Sequence, residues 1–153
     1  MSGENQSPNL AILAGGLIAG TLDILAAFLN WGLKGARPER VLQGIASGWL
    51  GPDAFSGGWA TVVMGLAFHF LIAITAAAVF YYASRKVGFL LTSVYAAGAL
   101  YGVLVYGFMY WVVIPLSRAQ RGPFSWTATI VAVITHIVCV GLPIALSVKH
   151  FSK

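Results

Sequence analysis

Three side chains in this sequence could do chemistry where their surroundings offer little help: Asp23, His69 and His136, each set in a long apolar stretch. A carboxylate and two imidazoles at one level can relay protons or hold a coupling ion, because imidazole changes charge near neutral pH. Two facing imidazoles can also hold a b-type haem, which would make His69 and His136 axial ligands of a haem- or quinone-binding redox protein. The same groups can instead bond to each other, to Tyr106, to Thr or to backbone carbonyls and simply tie helices together. Beyond the haem alternative no resident cofactor is expected. Elsewhere the sequence holds no set of nucleophile, base and orienter, no phosphate loop, no metalloprotease motif and no paired acids, so enzyme chemistry finds no support. The single cysteine, Cys139, excludes an intramolecular disulfide and a cysteine-built zinc site. Three residues beyond His136, it reads as packing.

The elements that must position these residues follow from composition. The chain has 153 residues, 59% hydrophobic and 8% charged, with mean hydropathy +0.84. So few charges cannot cover a particle of this size in water, which excludes a soluble globular domain and points to membrane helices. The nine Lys and Arg are scattered between apolar segments, with no basic stripe for a nucleic acid. Residues Met1 to Asn9 carry Glu4 and no basic residue, so the first apolar segment is expected to be a retained span and not a signal peptide.

Four stretches are long enough to cross a hydrocarbon core: Leu10 to Trp31, Trp59 to Ala83, Phe89 to Leu116 and Trp126 to Val148. Without water to satisfy the backbone each must be helical, and four such helices predict an all-α four-helix transmembrane bundle as a single domain. In the first loop, Pro38 begins an amphipathic helix over about 38–50. Val41, Leu42, Ile45, Ala46, Trp49 and Leu50 form one face, opposite Arg40, Gln43, Gly44, Ser47 and Gly48, and Gly51-Pro52 closes it. It is too short to span, so it is expected at the interface or over the bundle mouth.

The two halves repeat one another. Gly51-Pro52, Phe55-Ser56, Trp59 and His69 are matched by Gly122-Pro123, Phe124-Ser125, Trp126 and His136, with ten residues between Trp and His each time. Upstream, Gly16-xxx-Gly20 answers Gly98-xxx-Gly102. This predicts two two-helix repeats, about 10–86 and 89–150, the first enlarged by the interfacial helix. An even number of spans per repeat makes them parallel, unlike inverted-repeat transporters. The glycine faces could join the halves internally or join two protomers of a homo-oligomer.

The repeat also sets depth. Asp23 lies eight residues before Trp31, about 12 Å from that face, and both histidines lie about 15 Å from theirs at 1.5 Å per residue. Small residues flank each: Gly16, Ala19, Gly20 and Ala27 for Asp23; Gly65, Ala73 and Ala76 for His69; Thr129, Ala132 and Cys139 for His136. All three are therefore expected to point into the bundle. Tyr106 and Tyr110 reach a similar level, and Pro143 is expected to kink the fourth helix one turn beyond His136. Five Lys/Arg fall on the side of the five tryptophans and four on the other, a bias too even to orient the bundle.

The run Ala14 to Ile24 around Asp23, the run Arg40 to Gly48 and the Gly-containing approach to His69 resemble a widespread class of small four-span bacterial inner-membrane proteins. The resemblance covers most of the chain and implies the same bundle in a bacterial inner membrane; it assigns no activity to any residue. The expected function is a transport or channel-like role for a small solute, ion or proton through the Asp23, His69, His136 level. The alternatives are an accessory or assembly subunit of a larger membrane complex and the haem- or quinone-binding protein.

Overall fold

The computed structural model describes residues 7–151; the stretch around Glu4, on which the retained first span was partly argued, and Lys153 lie outside the described residues. Pro8 starts α1 (Pro8–Gly32), where its fixed φ suits a first turn and its missing N–H leaves nothing unpaired. Gly35, at φ +85°, reverses the chain, and the N–H groups of Gly35 and Ala36 return to the carbonyls of Gly32 and Trp31. Then come α2 (Pro38–Leu50), a 3-10 turn at Gly51–Ser56, and α3 (Gly58–Ser84). A single turn, α4 (Phe89–Thr92), precedes α5 (Val94–Leu116), and α6 (Trp126–Phe151) closes the chain.

Helices α1, α3, α5 and α6 are each long and apolar enough to cross a membrane, and no strand occurs among the described residues. The chain is a multi-pass membrane protein of the all-α class. The third span begins at Val94 and not at Phe89, because Ser93 leaves helical geometry at φ −111°, ψ 56° and its carbonyl accepts the first bond of α5 from Ala97.

Helix α1 packs against both α3 and α6, and α5 against α6. Glycines set the closest approaches. A Cβ on Gly16 would stand 2.6 Å from Ile74 Cα and one on Gly20 2.9 Å from the Phe70 ring, so this face seats α1 on α3. Likewise a Cβ on Gly98 would stand 3.0 Å from Leu142 Cα and one on Gly102 2.6 Å from Ile137 Cα, seating α5 on α6. Each glycine face thus joins the two helices of its own half and joins neither the halves nor two protomers, because each has a close partner within the chain. The halves meet elsewhere: α1, α3 and α6 converge at Gly15, beside Ala77 and Ser147, and Tyr101 Oη donates to the Ala76 carbonyl at 2.6 Å, linking α5 to α3.

Two apolar clusters result. The larger, built on Ala77, Phe80, Val94, Ala97, Ile144 and Val148, fills the bundle toward the α3–α4 connection; the smaller joins Ile24, Leu42 and Val62 beneath α2. Helix α2 lies against α3 with the Leu42 carbonyl over Gly65, where no side chain could fit. Its other end is tied to the second half, because Arg118 N–H donates to the otherwise orphaned Gly48 carbonyl at 2.9 Å. The inward face is rotated from the apolar stripe of the sequence: Gln43 and Ser47 are buried beside Leu42 and Ala46, while Trp49 is 70% exposed. Close approach at Gly65 decides this; Ser47 Oγ donates to Gly44 O at 2.6 Å, and the Gln43 amide N–H donates to Gly58 O at the start of α3.

Candidate functional site

Along each helix the polar residues fall between the two apolar clusters. Asp23 follows Ala19 and precedes Ile24; His69 lies between Val62 and Ala77; His136 precedes Val140. All three are half-buried.

His69 crosses from α3 to α1, its Nε2 standing 2.7 Å from the carbonyl oxygen of Gly20. A carbonyl only accepts, so this nitrogen carries the hydrogen and, in the neutral ring, Nδ1 keeps a lone pair. His136 behaves differently, with Nδ1 2.8 Å from the Ala132 carbonyl of its own helix. Its N–H is therefore on Nδ1 and its lone pair on Nε2, the arrangement common among metal-ligating histidines. Helix α1 packs on both α3 and the His136–Gly141 stretch.

Asp23 has no hydrogen bond and no ion pair among the described residues. The pairing of Asp23 with a histidine or with Tyr106 that would make the cluster a simple tie is not formed, because His69 and His136 donate to backbone carbonyls instead. Tyr106, buried on α5, sets its ring edge-on to His136 at 5.5 Å and stacks on Tyr110 at 5.8 Å. Arg121 completes the series toward the tryptophan side, its guanidinium 4.7 Å over the Tyr110 ring and donating to the Tyr110 carbonyl. The structure therefore brings His136, Tyr106 and Tyr110 together, while His69 on α3 meets α1 at Gly20.

The fourth span changes helical geometry at His136 itself. Residues His136–Gly141 form a π-helical turn that ends two residues before Pro143. Met109–Val113 on α5 does the same before Pro115. Proline removes the donor for the carbonyl four residues back, and widening the preceding turn redistributes the bonds around the gap. Pro115 was the overlooked signal for the second of these. The Tyr101 link and the Arg121 contact were also missed; a tyrosine beside Gly102 and an arginine eleven residues after Tyr110 carry no periodic pattern that would single them out.

Among the described residues no three His, Cys, Asp or Glu side chains gather to hold a metal ion. What the arrangement offers chemically is a carboxylate and two imidazole lone pairs inside the spans. Set against protein-family models, curated proteins and solved structures, the chain matches none.

Proposed function

We propose that this chain conducts protons or a small cation across a bacterial inner membrane, with Asp23, His69 and His136 as the groups that take up the ion. One observation carries the reading: none of the three neutralises another. An aspartate at mid-bilayer costs about 2.5–3.5 kcal/mol on insertion scales, and a merely structural role would offset that by pairing it. Here Asp23 is unpaired, and each histidine has one nitrogen fixed to a carbonyl and a lone pair to spare. Tyr106, Tyr110 and Arg121 extend the polar path toward the tryptophan side, and the apolar cluster around Phe80 closes the other.

We read the bundle as two parallel repeats. Phe70 and Ile74, which meet Gly20 and Gly16, stand one and five residues beyond His69; Ile137 and Gly141, which meet Gly102 and Gly98, stand one and five beyond His136. Helix α2 is then an insertion at the interface. Because Asp23 is half-exposed in a single chain, we place a second copy or a partner subunit over it.

The test is proton flux into liposomes carrying the purified protein and a trapped pH-sensitive dye, driven by a potassium diffusion potential. Flux above empty liposomes that falls at least about tenfold in Asp23→Asn, a change of about 1.4 kcal/mol, is expected. No flux, or equal flux in the variant, would overturn the proposal.

A further inference from the structure

A cleft of about 280 Å³ opens where the start of α2 meets the start of α3, lined by Arg37, Glu39, Arg40, Gln43, Trp59 and Val62. It lies apart from the level of Asp23, and what it binds is independent of ion conduction.

Its chemistry is unusual in three respects. First, two guanidinium groups converge on it without a carboxylate partner. Arg37 has no ion pair among the described residues, and Arg40 is held only by the Phe55 ring, 4.4 Å from its Cζ. Glu39 stands between them in sequence but pairs with neither, since successive helical residues do not face one another.

Second, Gln43 is only 7% exposed and half satisfied. Its Nε2 donates to Gly58 O and Thr61 Oγ1, both at 3.4 Å. The Thr61 hydroxyl is itself donated to Ala54 O at 2.7 Å, so Thr61 accepts from Gln43 and the orientation of the amide follows. The Gln43 Oε1 then has no donor among the described residues, a deficit that a buried amide does not normally carry.

Third, the cleft lies at the tryptophan end of the spans, beside Trp59, which is 72% exposed, and above an apolar flank of α3 carrying exposed Val63 and Leu66. That is the depth of lipid headgroups in a spanning bundle.

We infer that this cleft binds the anionic phosphate of a membrane phospholipid whose headgroup also bears a hydrogen-bond donor. The phosphate sits between Arg37 and Arg40, where charge-assisted bonds to guanidinium are strongest. The headgroup amine or hydroxyl donates to Gln43 Oε1 and to the Glu39 carboxylate, and the acyl chains run down α3 past Val63 and Leu66.

Native mass spectrometry of the full chain in detergent tests this, with phosphatidylethanolamine, phosphatidylcholine and inorganic phosphate as probes. Phosphatidylethanolamine is expected to be retained about tenfold better than phosphatidylcholine, which has the phosphate and lacks the donor. Arg37→Gln/Arg40→Gln is expected to lose phosphatidylethanolamine by about tenfold or more, and Gln43→Leu to lose only the preference between the two lipids. Lys86→Gln/Lys149→Gln removes the same charge on the other side and is expected to bind as the wild type does; circular dichroism of each variant confirms folding. Binding unchanged in the arginine variant, equal retention of the two lipids, or capture of inorganic phosphate without lipid would each overturn the inference.

Discussion

His69 on α3 donates its Nε2 hydrogen to the carbonyl oxygen of Gly20 on α1, at 2.7 Å, so a side chain of one span reads the backbone of another. His136, its counterpart in the second half, makes its bond within its own helix, to Ala132. The two histidines share a place in the sequence pattern and differ in what they hold together.

That difference is measurable. His69→Leu removes a bond between helices, worth about 1 kcal/mol net, and is expected to lower the Tm in detergent. His136→Leu removes a bond within α6 and the edge-on contact with Tyr106 but breaks no hydrogen bond between helices, and is expected to lower it less. Equal falls would contradict the distinction.

The glycine seats give a second expectation. Gly16→Ala and Gly102→Ala each place a methyl 2.6 Å from a backbone Cα of the facing helix, and each is expected to cost about 1–3 kcal/mol in thermal or denaturant unfolding. Gly32→Ala, where a Cβ meets nothing within 4 Å, is expected to leave stability unchanged or slightly raised.

Gly65→Ala is expected to lift α2 from α3, because the new methyl would collide with the Leu42 carbonyl. Faster trypsin cleavage after Arg40 in the variant, with Gly44→Ala on the open side of α2 behaving like the wild type, is the expected result.

Pro143→Ala restores a backbone donor to the fourth span. The His136–Gly141 turn is then expected to tighten toward α geometry, seen as slower hydrogen exchange at the amides of residues 139–142. Unchanged exchange would separate the π turn from the proline.

Much of the bundle could be read from the sequence because lipid imposes a simple rule: spans must be long, apolar and helical. Glycine spacing identified the contact faces, yet not their partners, since Gly16 and Gly98 carry no mark of which helix they will meet. The tilt of α2 was hidden for a related reason. Its apolar stripe predicts Trp49 inward, but the missing side chain at Gly65 draws Gln43 and Ser47 in. At the polar level, residue type and depth located Asp23, His69 and His136, while their bonds depended on rotamers and on carbonyls that every residue possesses. The cleft at Arg37 and Arg40 left no periodic trace, because it is made where two helix starts happen to meet.

The two π turns lie in α5 and α6, and α1 and α3 run without one. A π turn holds one residue more than the α turn it replaces, and one residue is about 100° of rotation about a helix axis. Absorbing or releasing that residue would swing every side chain on one side of the turn around the axis while the loops stay where they are. His136 stands at one such boundary and Tyr110 within the other, so the extra residue of each π turn falls at the polar level of the second half and nowhere in α1 or α3.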